Sequence, residues 1–117
     1  MAIVLRARSD NSSRLLGELR QALPAVSVLQ IREALKGRQP LREWKLFLND
    51  HDAIAEEIRN VLQILQRHKA ELELYELQDD EVFDPDHPPA TGRRTAEVVN
   101  NILEAFEIER RRQKTLY

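Results

Sequence analysis

Residues 49–69 read NDHDAIAEEIRNVLQILQRHK, and residues 70–77, which follow directly, read AELELYEL. In the first segment, apolar residues recur at steps of three and four, so they share one face of a helix. These residues are Ile54, Ile58, Val61, Leu62 and Leu65. In the second segment, Leu72 and Leu74 alternate with glutamates, which is the pattern of a half-buried strand. We therefore expect a packing helix and a strand that extend one core.

The N-terminal part of the chain predicts another strand and another helix. Ile3 and Leu5 alternate with neighbours that point the other way, which places both of them on the inner face of a strand. Ser12 or Ser13 can cap the helix that follows, and Pro24 ends it. The apolar stripe of this helix consists of Leu15, Leu16, Leu19, Ala22 and Leu23.

Residues 25–37 fit either a helix or a strand. Residues 26–31 have the composition of a strand. However, Ser27 and Gln30 have the spacing of a capping box, and Gly37 is placed for a C-terminal cap, so we expect a helix. The helix gives the order β-α-α-β-α-β, whereas the strand would give β-α-β-β-α-β, the ferredoxin-like order.

The predicted second strand covers residues 42–48, with Trp44 on its inner face and a helical turn as the alternative. Three strands would then form a small antiparallel or mixed sheet with the helices on one face, which is a two-layer α+β fold. We expect the other face to be a solvated surface of paired opposite charges. Phe47 and Tyr75 are the exceptions on that face, and they could seat an apolar group.

This element order, over about residues 2–77, is similar to that of the C-terminal domain of the bacterial ribosomal stalk protein and to that of the Clp protease adaptor. Residues 41–45, Leu-Arg-Glu-Trp-Lys, resemble the Leu-Lys-Glu-Ala-Lys run of the stalk domain, which is helical there. The glycine-rich turn of the stalk domain has no counterpart here. The resemblance therefore concerns the fold and implies no functional residue.

The C-terminal part of the sequence predicts a linker and a helical tail. Residues 78–94 are acidic and rich in proline, which favours a linker between a body domain, residues 1–77, and a tail, residues 95–117. Thr95 is placed to cap the tail helix. The helix carries a narrow apolar seam of Val98, Val99, Ile102, Leu103 and Phe106. Because a lone helix is marginal in water, we expect this seam to pack on the body or on a partner subunit.

Composition excludes several classes of protein. The chain has no cysteine, so it has no disulfide and no thiolate metal site. It has no apolar run long enough for a membrane span and no signal peptide, so we expect a cytoplasmic protein. The formal charge is +4 in residues 1–51, −8 in residues 52–90 and +2 in residues 91–117. This alternation favours pairing between segments or between copies over binding to a polyanion.

The three histidines are the candidates for acid–base chemistry at neutral pH. His51 lies at the predicted helix start, where we expect a surface residue, and His68 lies near the C-terminus of the same helix, where a cation is favourable. His87 lies in the acidic linker, whose spacing matches no EF-hand or zinc motif. The sequence has no nucleophile elbow and no phosphate-binding glycine loop. We therefore expect a protein that is not an enzyme and binds no metal or cofactor.

These features together predict a protein-interaction module of the adaptor, immunity or regulatory type that forms a homodimer through its C-terminal helix. The predicted contact residues are the apolar seam, Phe47 and Tyr75. The alternative is a nucleic-acid-associated factor that uses the basic residues near the C-terminus. Those residues are Arg93, Arg94, Arg110, Arg111, Arg112 and Lys114. The acidic isoelectric point of about 5.9 makes this alternative the less favoured one.

Overall fold

A computed structural model describes residues 1–10, 12–46 and 51–115. The elements in chain order are strand β1 (Ala2–Arg8), helix α1 (Ser13–Ala22), helix α2 (Val28–Ala34), strand β2 (Arg42–Lys45), helix α3 (His51–Arg67), strand β3 (Glu71–Leu77), a 3-10 turn (Ala90–Gly92), strand β4 (Arg93–Arg94) and helix α4 (Ala96–Thr115). The predicted α+β class with a C-terminal helix is confirmed. The order β-α-α-β-α-β is also confirmed through residue 77, and the ferredoxin-like alternative is wrong because α2 is helical.

Within the described residues, the sheet has four strands in the order β2-β1-β3-β4, and every neighbouring pair is antiparallel. The sequence predicted three strands and therefore missed one strand of the sheet. The missing strand is β4, whose two arginines pair with Leu74 and Tyr75 of β3. A strand of two basic residues has no apolar alternation, so the sequence pattern does not indicate it. β1 is central and pairs with β3 over its whole length, from Ala2 opposite Leu77 to Arg8 opposite Glu71.

The predicted caps fix where the helices begin. The hydroxyl of Ser12 accepts a hydrogen bond at the start of α1, and both bonds of the capping box between Ser27 and Gln30 are present, at 3.2 and 2.9 Å. Gly37 follows α2 with a φ of +88°, a conformation that costs glycine little. Thr95 caps α4 by accepting a hydrogen bond of 3.2 Å. Capping side chains therefore fix the starts of α1, α2 and α4, and a glycine follows the end of α2.

The main core lies between the sheet and the helices. Ile3 and Leu5 are fully buried in it, as the alternation predicts. Trp44 is also buried there, and its indole nitrogen donates a hydrogen bond of 3.1 Å to the carboxylate of Glu57 on α3. This bond satisfies the one polar atom of the largest side chain in the core.

The other face of the sheet is not the solvated surface that the sequence predicted. It holds a second apolar cluster of four buried residues, and Phe83 packs over it. The four residues are Ala2, Val4, Tyr75 and Leu77. β1 is therefore buried on both faces. The prediction failed because the cover comes from residues between β3 and β4, whose acidic and proline-rich composition gives no apolar pattern.

Residues 78–89, which we call the strap, run across this second face. Asp79 forms an ion pair with the N-terminal amine, and Arg6 donates a hydrogen bond of 2.9 Å to the carbonyl oxygen of Pro85. Asp86 lies 3.7 Å from the guanidinium of Arg38. The strap thus contacts the body, although the division of the chain at residues 77 and 94 stays a prediction.

Gly92, at the end of the 3-10 turn, lies where any side chain would meet β3. A Cβ atom at this position would be 2.7 Å from the backbone oxygen of Glu76. We expect Gly92→Ala to lower the free energy of unfolding by about 1–2 kcal/mol, because β4 would have to shift. Urea denaturation measures this change.

The matched control is Gly17→Ala in α1, where a Cβ atom meets nothing within 4 Å. That variant should gain about 0.5–1 kcal/mol, since alanine is the better helix former. Equal midpoints for the two variants would contradict the close approach at Gly92.

Candidate protein-interaction surfaces

The apolar seam predicted on the tail helix packs on α3 of the same chain. Val99 and Leu103 are fully buried and belong to the main core. Ile102 and Phe106 are half-buried against the same core, whereas Val98 is 37% exposed. Of the two expected packing partners, the chain's own body is the one that the structure shows.

Polar contacts fix the position of α4 along α3. Arg59 donates hydrogen bonds of 2.7 Å to Glu107 and 3.1 Å to Asn100. The bond from Arg59 holds the pKa of Glu107 below its usual value, although partial burial acts in the opposite direction. Nearer the C-terminus of α4, Arg110 forms an ion pair with Asp52 in the first turn of α3. The two helices are therefore antiparallel neighbours.

His51 is fully buried, so the prediction of a surface residue at the helix start was wrong. Its ring stacks on Phe106 of α4, with ring centroids 5.6 Å apart and an interplanar angle of 6°. Its Nε2 atom lies 3.6 Å from the carboxylate of Glu107. Among the described residues, neither ring nitrogen has a hydrogen-bond partner. Phe106 lies far along the sequence, and its packing on the first turn of α3 is what buries the histidine.

The other two histidines form contacts with carboxylates. The Nε2 atom of His68 lies 2.9 Å from Glu18 of α1, and this bond is the main cause of the lowered pKa of Glu18. His87 lies 3.2 Å from Asp84, within the strap. In the described ranges, no group of three histidine or acidic side chains could hold a metal ion. The helices of those ranges also include none that is long and apolar enough to cross a membrane.

Tyr75, the predicted seat for an apolar group, lies on the second face of the sheet and is 3% exposed. Phe83 of the strap packs on it, with ring centroids 5.2 Å apart at 47°. The guanidinium of Arg6 lies over both rings, 5.8 and 5.6 Å from their centroids, and that of Arg93 lies 5.6 Å from Tyr75. We call this group of side chains around Tyr75 the Tyr75 cleft. Phe47, the predicted neighbour of Tyr75, lies outside the described residues.

An ion pair between Arg6 and Glu73 supports the Tyr75 cleft. Arg6 donates to Glu73 at 2.7 Å, and its side chain is only 12% exposed. Partial burial raises the pKa of Glu73, but hydrogen bonds from Arg6 and from the Tyr75 hydroxyl outweigh it, so the pKa lies below its usual value. Arg6 also donates to the carbonyl oxygens of Pro85 and Arg38. One side chain thus connects the sheet, the strap and the loop before β2.

The outer edge of β2 is open as far as the structure describes the chain. β1 lies on one side of β2, and no described strand lies on the other. The backbone N–H of Leu46 bonds to the oxygen of Met1, so the even-numbered residues of this segment pair with β1. The backbone groups of Glu43 and Lys45 therefore point to the open edge. The side chains of Glu43 and Lys45 are exposed, whereas that of Trp44 between them is buried.

α2, which borders the start of β2 across a groove, has two exposed apolar side chains. Val28 and Leu29, in the first turn of α2, are 39% and 70% exposed. α2 and residues 39–43 line a common groove of about 500 Å³, which reaches the start of β2. The residues of α2 that line this groove are Gln30, Glu33 and Ala34, so its lining does not include the exposed Val28 and Leu29.

The basic residues of the nucleic-acid alternative are largely paired with acids. Four of them lie near carboxylates: Arg93 near Glu73, Arg94 near Glu76, Arg110 near Asp52 and Arg112 near Glu109. The side chain of Lys114 is outside the described part. The arginines of β4 and those in the last turns of α4 lie at opposite ends of that helix, about 25 Å apart at 1.5 Å per residue. This arrangement favours internal pairing over a continuous phosphate-binding surface.

Comparisons with known proteins give no match. No family model matches the sequence, and the searches of curated proteins and of solved structures found no match. Inferences about function therefore rest on the geometry of the chain itself.

Proposed function

We propose that this protein is a non-enzymatic protein-interaction module that forms a homodimer by pairing β2 with β2 of a second copy. The observation that carries the proposal is the open edge of β2, where Glu43 and Lys45 present opposite charges. The sequence alone favoured dimerisation through α4. Because the α4 seam packs on α3, we assign the contact to β2 instead.

The two charges at the edge are arranged to complement a second copy. In an antiparallel pair of β2 strands, a two-fold axis can pass beside Trp44. Glu43 of each copy then lies opposite Lys45 of the other, and their outward backbone groups exchange hydrogen bonds. The two side chains lie on the same face, so each cross-strand pair contributes about 0.2–1 kcal/mol. The contact is self-complementary and closes after two copies.

The size of the edge sets the expected strength of the dimer. β2 is four residues long, so the strand pair buries little surface, and we expect a dimer that dissociates on dilution. The groove between α2 and residues 39–43 borders the start of β2 and can add contact area. Open edges with free backbone groups are templates for such pairing unless charges prevent it. If the charges at this edge serve only to prevent pairing, the protein will be a monomer at every concentration.

Charge exchange at the edge tests the proposal. Glu43→Lys and Lys45→Glu each replace two attractive pairs of the dimer with two repulsive ones, so each should weaken dimerisation about tenfold or more. The double variant restores opposite charges and should recover the dimer. Sedimentation equilibrium over a range of concentrations measures the shift from 13.7 kDa to twice that mass.

Glu104→Lys is the matched control, since it makes the same charge change on the exposed surface of α4. It should dimerise like the wild type. A wild-type mass of 13.7 kDa up to millimolar concentration would overturn the proposal, as would a double variant that dimerises no better than the single variants.

A further inference from the structure

We propose that the Tyr75 cleft binds an extended acidic segment of a partner protein that carries a phenylalanine. In the isolated chain, the strap occupies this site. The cleft lies on β1 and β3, whereas the proposed dimer contact is at the outer edge of β2. The two proposals therefore rest on different contacts and can fail separately.

The strap itself shows which ligand chemistry the cleft accepts. Phe83 supplies an aromatic ring that packs on Tyr75, and the guanidinium of Arg6 lies over both rings. Aromatic faces attract such cations, which favours an aromatic side chain over an aliphatic one. The carbonyl oxygen of Pro85 accepts a hydrogen bond from Arg6, so the cleft also contacts the ligand backbone. An extended peptide provides both features.

The charges around the cleft favour an acidic ligand. Of the three arginines near the Tyr75 cleft, Arg38 lies near a carboxylate of the strap, whereas Arg6 and Arg93 lie near Glu73. The strap carries five carboxylates, at Asp79, Asp80, Glu81, Asp84 and Asp86. Asp86 lies near Arg38, and Asp79 pairs with the N-terminal amine. A partner segment that places carboxylates on both sides of a phenylalanine would meet the same cations.

The strap is held by one apolar anchor and by polar contacts near the surface, and it can leave the cleft. It contains no helix or strand, and Phe83 is its apolar anchor, whereas the neighbouring Val82 is 90% exposed. Segments with few buried apolar contacts open at low free-energy cost. β3 and β4 hold the two ends of the strap, so opening leaves it attached. When the strap opens, the apolar cluster around Val4 and Tyr75 is exposed to solvent, and a partner segment can then bind to it.

A peptide with the sequence of residues 78–89, QDDEVFDPDHPP, is the probe for this site. The strap competes with it at an effective concentration of about millimolar, so the wild type should bind the labelled peptide weakly. Phe83→Ala in the full chain removes the ring of the competitor, and we expect it to bind the peptide about tenfold or more tightly than the wild type. Fluorescence anisotropy at low salt measures both affinities.

Two controls make the result specific. Val82→Ala changes an exposed residue of the strap, so its peptide affinity should equal that of the wild type. A peptide in which alanine replaces the phenylalanine should not bind the Phe83→Ala variant. Because Glu43 lies opposite Val4 in the sheet, the dimer contact is followed separately, by sedimentation equilibrium of the Phe83→Ala variant.

A second variant decides the question if Phe83→Ala does not fold. The double variant with Asp79→Asn and Asp86→Asn loses both ion pairs between the strap and the body but keeps every apolar contact. It should also bind the peptide more tightly than the wild type. The proposal is overturned if no folded variant, as judged by circular dichroism, binds the peptide better than the wild type.

Discussion

Leu103→Ala should lower the free energy of unfolding by about 2–5 kcal/mol, which is the usual cost of truncating a buried leucine. Leu103 lies on α4, is fully buried and belongs to the main core formed with α3. Urea denaturation followed by circular dichroism measures the loss. The matched control is Ile108→Ala on the same helix, where the side chain is 56% exposed and the change should stay within about 0.5 kcal/mol.

The shape of this unfolding transition also tests the predicted division into body and tail. If α4 is part of one cooperative core, Leu103→Ala moves a single transition to lower urea. If the tail is an independent unit, the variant loses helix in a separate early transition, and the transition of the body stays at the wild-type midpoint. The second outcome would contradict the contribution of Leu103 to the main core.

Local sequence patterns correctly predicted most of the helices and strands. The spacing of apolar residues placed α1 and α3, and the capping box of Ser27 and Gln30 correctly favoured helix for α2. These signals act within a few residues, so a single sequence contains them. β4 was missed because a strand of two arginines has no apolar alternation and its partners on β3 are distant in sequence.

The candidate surfaces were only partly predictable. The alternation in β3 correctly placed Tyr75 on the face away from the helices, but it could not identify Phe83 as the residue that covers it. The sequence feature that could have indicated this contact is Phe83 itself, an aromatic residue within an acidic stretch. His51 was missed for a similar reason, because the ring that buries it belongs to Phe106. Both contacts join residues distant in sequence, and periodicity contains no information about such pairs.

Arg6→Ala should lower the free energy of unfolding by about 2–3 kcal/mol. Removing one partner of a buried ion pair costs about 3–5 kcal/mol, and we expect less here because the side chain of Glu73 is 37% exposed to solvent. The variant also loses the hydrogen bond to Pro85 and the contacts with the two aromatic rings. Arg8→Ala is the control, because Arg8 lies two residues further along β1 and is exposed. Its effect should be within about 0.5 kcal/mol.

The pH dependence of this loss identifies the ion pair as its source. The pKa of Glu73 is lowered in the folded protein, so the unfolded chain binds the proton more readily and stability rises with pH. The contribution of the pair is complete above the ordinary pKa of a glutamate, about 4.3, and it disappears as pH falls through the lower pKa of the folded state. Arg6→Ala and Glu73→Gln should therefore differ from the wild type at pH 7 by more than at pH 3. If the difference for Arg6→Ala is the same at both values, Arg6 stabilises the protein through its contacts with Tyr75 and Phe83 and not through Glu73.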